Sequence, residues 1–165
     1  MREEDKMLED LTQTVQSLQK RLQDFEDERA LNQLLNTYCS TADHHDWKAF
    51  AECFTEDGVM EFEGWGPVQG KEKIARVAGD AETRFQGLQH TMTNHSFDLK
   101  SAEEATGTCY LWFCATPDTN KPDINYSFGG WYRWEFVRTR QGWKIEKMHL
   151  RRMWSMGTDT EKQWT

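Results

Sequence analysis

Long apolar runs, an excess of positive charge and nucleotide-binding loops are all missing from this chain of 165 residues. No run of eighteen apolar residues occurs and the first thirty positions are rich in charge, so we expect neither a membrane span nor a signal peptide. The formal charge is −8, which argues against nucleic-acid and membrane partners because both are anionic. GxGxxG loops, Walker-type loops and the GxSxG turn of serine hydrolases are also absent.

Metal-binding and disulfide patterns are equally scarce. The four cysteines have no CxxC spacing and lie among apolar residues, so we expect buried free thiols in a reducing cytoplasm, with disulfides or a zinc site as the alternative. Residues 43–46 read Asp-His-His-Asp, but consecutive turn residues point in different directions. Because no HxxxH, HxH or HExxH spacing occurs either, we predict no metal site.

Aromatic residues, in contrast, are abundant. They make up 13% of the chain and include eight Trp and nine Phe. For a chain about one domain long, this indicates a wide apolar interior or a lined pocket.

The first segment, residues 1–29, is predicted to be an amphipathic helical extension. Its apolar residues are spaced 3, 4, 3, 4, 3, which is the a/d pattern of a coiled-coil seam: Leu8, Leu11, Val15, Leu18, Leu22 and Phe25. The seam could pair with a neighbouring subunit or fold back over its own domain, and the pattern favours neither.

The remaining pattern is helical first and then of period two. Helix is predicted to continue to about Ala42, and Asp46 to cap a second helix whose buried side includes Phe54. A turn at 57–58, a strand from Val59, a loop at 64–70 and a helix from Lys71 follow. Four strands are expected around 87–99, 104–115, 125–138 and 142–155. This order predicts an α+β domain over 30–156, with helices on one face of a curved antiparallel sheet, and a C-terminal tail at 157–165.

Three polar residues stand out as candidates for chemistry. Asp43 is expected at the C-terminal end of a helix, where the helix dipole disfavours a carboxylate unless a cation lies beside it. His90 is expected on a central strand. Strand alternation places Met148, Leu150, Arg152 and Trp154 on one face, where an arginine among apolar residues would meet an anion or extend to water. Each residue by itself also fits an ordinary structural role.

Several segments in order resemble a known family. They are Phe-Thr-Glu-Asp-Gly-Val at 54–59, Gly-Pro-Val-Gln-Gly-Lys-Glu-Lys-Ile at 66–74, His-Thr-Met-Thr-Asn at 90–94, Gly-Trp-Lys-Ile at 142–145 and Arg-Arg-Met-Trp at 151–154. Together they resemble the SnoaL-like branch of the nuclear-transport-factor-two-like superfamily over about residues 28–156. The resemblance implies a cone-shaped, cystatin-like fold with an open pocket for a small apolar molecule.

Within that branch the chain is most similar to lyases of the bile-acid dehydratase, hexachlorocyclohexane dehydrochlorinase and scytalone dehydratase type, which need no cofactor. The dehydratase's tyrosine, aspartate, histidine and arginine match Tyr38, Asp43, His90 and Arg152. A second aspartate of the dehydratase aligns with Phe113, and the dehydrochlorinase's arginine aligns with Met148, so neither substrate nor exact reaction transfers. Family position and strand alternation also predict five substrate-contacting residues: Met60, Phe62, Phe113, Met148 and Trp154.

The resemblance therefore implies a dehydratase-type lyase or a double-bond isomerase that acts on a hydrophobic cyclic molecule through an Asp–His dyad. The substrate would be steroid-, polyketide- or aromatic-like, and the protein a homodimer or homotrimer in the cytoplasm. A non-catalytic binding protein and a structural subunit, like the small subunit of ring-hydroxylating dioxygenases, are the alternatives, because a shared fold does not determine function.

Overall fold

The computed structural model describes residues 2–64 and 66–158, which form three helices and six strands. The helices are α1 (Glu3–Asp43), α2 (Trp47–Ala51) and α3 (Lys71–Glu82). The strands are β1 (Phe54–Phe62), β2 (Gly66–Gln69), β3 (Gly87–Leu99), β4 (Glu104–Thr116), β5 (Tyr126–Thr139) and β6 (Gly142–Gly157). The predicted C-terminal tail lies outside the described residues from position 159 onward.

The strands form one curved sheet in the order β2-β1-β6-β5-β4-β3. Strands β3 to β6 are antiparallel neighbours in chain order because short connections join them. Strand β1 pairs antiparallel with β2 but parallel with β6. Helices α1 and α3 pack against this sheet, and α2 packs on both of them. The predicted α+β class is confirmed.

The segment between α2 and α3 differs from the sequence-based expectation. Strand β1 already begins at Phe54, and the predicted turn at Asp57-Gly58 is taken up inside it as an irregularity in its pairing with β6. Residues 66–69, expected as loop, form the edge strand β2, with Pro67 opposite Glu61. Pro is tolerated on an edge strand because no second neighbour requires its missing N–H group. The glycines and proline that resemble a loop therefore belong to a strand.

Helix α1 is continuous over 41 residues, about 60 Å at the usual rise. Its N-terminal part, up to Glu26, is exposed, and the six seam residues are between 45% and 66% exposed. Buried positions begin at Asp27 and continue with Leu31, Leu35, Tyr38 and Ala42. In this structure the seam therefore does not fold back over its own domain.

A buried carboxylate fastens α1 to the sheet where the exposed part ends. Asp27 forms an ion pair with Arg138 of β5, and Trp143 of β6 donates its indole N–H to Asp27 Oδ1 at 3.3 Å. Gln23 Nε2 donates to the same oxygen at 3.1 Å, and the Arg138 guanidinium lies 4.4 Å from the Trp143 ring centre. Burial alone would raise the pKa of Asp27, but these hydrogen bonds and the Arg138 charge lower it below its usual value.

The core is rich in aromatic residues, as the composition predicts. Its largest fully buried side chains include Trp134, Tyr132, Phe50, Phe54, Phe113, Phe128 and Phe136. All four cysteines are free thiols, two buried and two partly buried. Within the described residues, no helix combines the length and the apolar character that crossing a membrane would require.

Candidate active site

The last residue of α1 meets His90 of β3, which lies at the edge of the sheet and is not the central strand that the sequence predicts. Asp43 Oδ1 lies 2.7 Å from His90 Nδ1, and the His90 backbone N–H donates to Asp43 Oδ1 at 3.0 Å and to Oδ2 at 3.2 Å. The side chains are 19% exposed for Asp43 and 5% exposed for His90. The geometry holds because α1 ends at this point and packs along β3, so that a helix end lies beside the first part of a strand.

This contact determines which ring nitrogen of His90 is free. A carboxylate only accepts hydrogen bonds, so Nδ1 must carry the hydrogen, and in the neutral ring Nε2 is left with an unprotonated lone pair. That nitrogen lies 3.8 Å from Glu82 Oε1. Because Nδ1 is held by Asp43, Nε2 is the atom through which His90 can take up a proton.

His90 lines a cavity between the helices and the concave face of the sheet. About 450 Å³ of space there is free of atoms, including the opening to solvent, but the centre of a water molecule can move through only about 30 Å³ of it. Twelve of the described residues line it: Tyr38, Ala42, Phe50, Met60, Phe62, Ala78, Glu82, His90, Phe128, Tyr132, Met148 and Leu150. The walls are therefore apolar, with a few polar atoms at one side.

Two tyrosines supply hydroxyl groups to this cavity. Tyr38 of α1 is 4% exposed, and its ring centre lies 6.4 Å from that of His90. Tyr132 of β5 lies with its ring centre 6.3 Å from that of Tyr38. Burial raises the pKa of Tyr38 far above its ordinary value, although interaction with the Tyr132 hydroxyl opposes the shift. Both phenols therefore remain protonated at neutral pH and can donate hydrogen bonds.

Glu82, the last residue of α3, is the third ionisable residue of the site. It is 7% exposed, and its Oε2 atom is buried without a hydrogen-bond partner in the part of the chain that the structure describes. Burial raises the pKa of Glu82 to about 7, with the His90 charge opposing and the Asp43 charge adding to the shift. Burial lowers the pKa of His90, but the Asp43 hydrogen bond and the charges of Glu82 and Asp43 outweigh it and raise the value above the ordinary one.

The structure brings six of the nine predicted site residues together. Tyr38, His90, Met60, Phe62 and Met148 line the cavity, and Asp43 lies directly behind His90. Phe113 is fully buried, does not line the cavity and packs against the His90 ring at 4.9 Å between centres.

Arg152 lies outside the cavity lining. It is half-buried on β6, two residues beyond the cavity-lining Leu150. Its Nη1 atom donates to the Tyr126 hydroxyl at 3.2 Å. The described residues that line the cavity with Tyr38 and His90 therefore do not include Arg152.

The expectation that Trp154 shares a face with Met148, Leu150 and Arg152 is wrong. The pairing of β5 with β6 shifts between Gly129 and Gly130, so that Gly130 faces Arg152 but Gly129 faces Trp154, with one extra residue on β6. A bulge of this kind reverses the side-chain alternation beyond it. Trp154 consequently lies on the outer face of the sheet.

On that outer face Trp154 covers the backbone of Gly129. A Cβ atom at Gly129 would overlap the Trp154 indole, and Trp112, the other neighbour of Gly129, contacts Trp154 edge-on at 5.9 Å between ring centres. Trp112 and Trp154 are 57% and 41% exposed. Trp154 is therefore a surface residue of the convex face and not a wall of the cavity.

Sequence reasoning missed Glu82 and most of the aromatic wall. A signal for Glu82 was present, because Ile74, Ala78 and Glu82 are spaced by four residues and the first two are buried. A carboxylate at the third position of an apolar helix stripe indicates a buried acid. In the described parts of the chain, no group of three or more His, Cys, Asp and Glu side chains is arranged to hold a metal ion.

The family model of the SnoaL-like domain matches residues 23–149. The chain belongs to the SnoaL-like family. The matched range includes the C-terminal part of α1 and most of the sheet. It also contains Asp43, Glu82 and His90. No curated protein sequence matches the chain significantly.

Solved structures share the SnoaL-like fold of this chain at low sequence identity. A putative scytalone dehydratase from Novosphingobium aromaticivorans is 18% identical, covers 82% of this chain and 90% of its own, and has a TM-score of 0.73. A hexachlorocyclohexane dehydrochlorinase from Novosphingobium barchaimii is 18% identical, with coverages of 85% and 95% and a TM-score of 0.71. A protein of unknown function from Mycobacterium tuberculosis is 24% identical, with coverages of 79% and 73% and a TM-score of 0.69.

Proposed function

We propose that this SnoaL-like protein is a cofactor-independent lyase of the dehydratase type, or a double-bond isomerase, acting on a hydrophobic cyclic molecule. The observation that carries the proposal is the 2.7 Å contact between Asp43 and a His90 whose other nitrogen faces an apolar cavity. The names of the similar structures, a dehydratase and a dehydrochlorinase, agree with elimination chemistry. The substrate class is inferred from the cavity walls and the family resemblance.

In the proposed reaction, His90 removes a proton from a carbon beside a carbonyl group. Neutral imidazole suits this task because its pKa is near the working pH, and such a base contributes about 10²–10⁴-fold in rate. Asp43 keeps the hydrogen on Nδ1 and stabilises the imidazolium that forms at His90. Excluding bulk water from the cavity strengthens that interaction.

The carbonyl oxygen becomes negative as the carbon loses its proton, and Tyr38 would donate a hydrogen bond to it. A fixed donor aimed at developing charge is a large source of rate enhancement. Arg152 would bind a part of the substrate that projects from the cavity toward the Tyr126 hydroxyl. In this proposal Arg152 contributes affinity for a carbonyl-bearing or anionic end of the substrate, and not a proton.

The cavity walls favour an apolar ring system. Phe62 and Phe128 meet edge to face, with ring centres 5.9 Å apart, and such rings pack well against flat hydrophobic ligands. The free space is narrow in this structure, so a ligand must displace side chains. Met60 and Met148 are suited to this because methionine is unbranched and adapts its shape easily.

A binding protein or a structural subunit would need the cavity but not the dyad. A buried carboxylate–imidazole pair is costly to desolvate. A binding protein gains nothing from directing the free nitrogen of such an imidazole toward an apolar cavity. The Asp43–His90 pair therefore supports catalysis over simple binding.

A direct test is dehydration of a cyclic β-hydroxyketone, followed by the ultraviolet absorbance of the conjugated product. We expect His90→Ala and Asp43→Asn each to lower kcat by about 10²–10⁴-fold. Asp46→Asn is the matched control, because Asp46 lies three residues away and only caps α2 through Ala49, a role that asparagine also fills. Turnover that is equal in the wild type, His90→Ala and Asp43→Asn would refute the dyad.

We also propose that the protein is a homo-oligomer joined through the exposed part of α1. The six seam residues are each between 45% and 66% exposed, and their heptad spacing fits a second copy of the same helix. In a parallel pair, Arg21 at a g position would face Glu26 at the following e position of the partner, with opposite charges. The cytoplasmic location stays a prediction, supported by the free state of all four cysteines.

A further inference from the structure

We propose that Glu82 is the acid of this site: it delivers a proton to the departing oxygen of the substrate and then takes back the proton that His90 removed from carbon. This inference rests on the proposed elimination and extends it to a residue outside the predicted dyad. It gives the two carboxylates opposite tasks, because Asp43 holds His90 from behind and Glu82 faces its working nitrogen.

The position of Glu82 carries the argument first. Its Oε1 atom lies 3.8 Å from His90 Nε2, so a small movement or one water molecule connects them. Its Oε2 atom is buried and has no hydrogen-bond partner among residues 2–64 and 66–158, although the residue lines the cavity. A buried polar atom without a partner is costly in a folded protein, and a substrate oxygen would satisfy it.

The surroundings of Glu82 disfavour its charged form. His90 of β3 faces it, the Asp43 carboxylate lies behind that ring, and Tyr38 of α1 and Tyr132 of β5 share the cavity. None of the cavity-lining residues in the described part of the chain is Lys or Arg. Burial beside another carboxylate raises the pKa of Glu82 to about 7, so a substantial fraction carries its proton at neutral pH.

The two groups therefore share one proton between them. In the working form Glu82 is a neutral carboxylic acid and His90 is a neutral imidazole. In the other arrangement Glu82 is ionised and His90 is an imidazolium. His90 then cannot remove a proton from the substrate, and Glu82 has no proton to give to the departing oxygen. The pair resembles other sites in which a buried carboxyl is kept neutral so that it can donate.

The proton balance of the cycle closes without any further reactant. The C–H electron pair forms the new C=C bond while its proton moves to His90 Nε2. The C–O bond breaks, and the departing oxygen takes its electron pair and the Glu82 proton to leave as water. Transfer of the proton from His90 Nε2 to the Glu82 carboxylate then restores the starting form.

The test combines a titration without substrate and a rate profile. Nitrogen NMR of the His90 ring is recorded against pH in the wild type, Glu82→Gln and Asp80→Asn. Asp80 is the matched control, because it is an exposed carboxylate on the same helix. We expect Glu82→Gln to lower the pKa of His90, since a negative charge is lost, and Asp80→Asn to leave it unchanged. An unchanged His90 titration in Glu82→Gln would overturn the proposal.

The rate profile uses dehydration of the cyclic β-hydroxyketone. We expect a bell-shaped dependence of kcat on pH for the wild type, with the basic side reporting loss of the Glu82 proton. Glu82→Gln should lose about 10²-fold or more in kcat and should no longer decline at high pH. Glu82→Asp, which restores an acid one methylene shorter, should regain the basic decline.

The outcomes separate this inference from the proposed function. If His90→Ala is inactive but Glu82→Gln works like the wild type, the dyad stands and the acid role of Glu82 is refuted. If the wild type dehydrates no β-hydroxyketone, that arm of the proposed function fails and the acid role fails with it. The His90 titration then still decides whether Glu82 and His90 share a proton.

Discussion

Asp43 Oδ1 accepts two hydrogen bonds from the same residue, one from the His90 backbone N–H at 3.0 Å and one from its ring Nδ1 at 2.7 Å. The backbone bond fixes the carboxylate on strand β3 whatever the ring does. The ring bond then aligns the imidazole with its free nitrogen toward the cavity. A residue at the end of a helix and a residue near the start of a strand, far apart in sequence, thereby form one rigid acid–base unit.

This relationship predicts how His90 titrates. The Asp43 hydrogen bond and charge raise the pKa of His90 against the effect of burial. Asp43→Asn removes the charge, so we expect the pKa of His90 to fall. Nitrogen NMR of the ring measures this directly, and Asp46→Asn should leave the value unchanged. A His90 pKa that Asp43→Asn leaves in place would mean that the carboxylate does not act on the ring.

Glu82 should make the protein less stable as pH rises. Its pKa is raised from 4.5 to about 7, so in that window the folded protein holds a proton that the unfolded chain has already released. Stability therefore falls as pH rises from about 4.5 to 7, by an amount on the order of 2–3 kcal/mol. Glu82→Gln cannot ionise and so lacks this loss. We therefore expect the free energy of unfolding of the variant, relative to that of the wild type, to increase as pH rises through this window.

Urea unfolding at several pH values measures this difference. Asp80→Asn serves as the control, because an exposed carboxylate has a similar environment in the folded and unfolded chains. A constant difference between Glu82→Gln and the wild type from pH 4.5 to 8 would contradict the raised pKa of Glu82.

The Asp27 cluster should stabilise the fold at neutral pH. Asp27→Asn loses the charge partner of Arg138, which is itself 28% exposed, so we expect a loss of about 1–3 kcal/mol in the free energy of unfolding. The pKa of Asp27 is lowered, so its contribution is present above the ordinary value of 3.8 and is lost as pH falls below it. The difference in the free energy of unfolding between the wild type and Asp27→Asn should therefore become smaller as pH falls below 3.8.

Asp24→Asn is the matched control for that measurement. Asp24 lies on the same helix and pairs with Lys20 at 2.7 Å, but on an exposed surface. Exposed pairs contribute about 0.2–1 kcal/mol, so Asp24→Asn should change stability little. Equal effects of the two substitutions would show that burial of Asp27 has no energetic consequence.

The exposed seam of α1 should govern self-association. Leu11→Glu together with Leu18→Glu places charges at two d positions, and we expect the oligomer mass measured by light scattering to fall to a smaller species. Gln13→Glu, at an f position away from the seam, should keep the wild-type mass. A wild-type protein that is monomeric at micromolar concentration would refute this role of the helix.

The sequence predicts much of the fold because its apolar periodicity is regular. The spacing of four between Leu31 and Leu35 indicates helix, and alternation in residues 104–116 indicates strand, as the structure has them. Residues 66–69 escaped prediction because their strand depends on pairing with β1 and not on local propensity. Trp154 was assigned to the wrong face because one bulge reverses every side chain beyond it, and nothing in the local sequence reports a bulge.

The candidate site was predictable only in part. The residue types and order around Asp43 and His90 indicated a pair, but the Nε2 direction and the nearness of Glu82 depend on how α3 packs on the sheet. Glu82 shares no short sequence motif with Asp43 or His90. It reaches the cavity because α3 buries the stripe of Ile74 and Ala78 and ends near the ring of His90. Long-range packing, and not sequence spacing, places the third ionisable group.

The central claim, that His90 removes a proton from carbon inside the cavity, is tested most directly by hydrogen exchange on a cyclic ketone without a leaving group. The protein is incubated with the ketone in deuterated water, and mass spectrometry follows deuterium uptake at the carbon beside the carbonyl. We predict uptake above the buffer rate for the wild type and Asp46→Asn, and loss of that excess in His90→Gln. Deuterium uptake by His90→Gln at the wild-type rate would contradict the account.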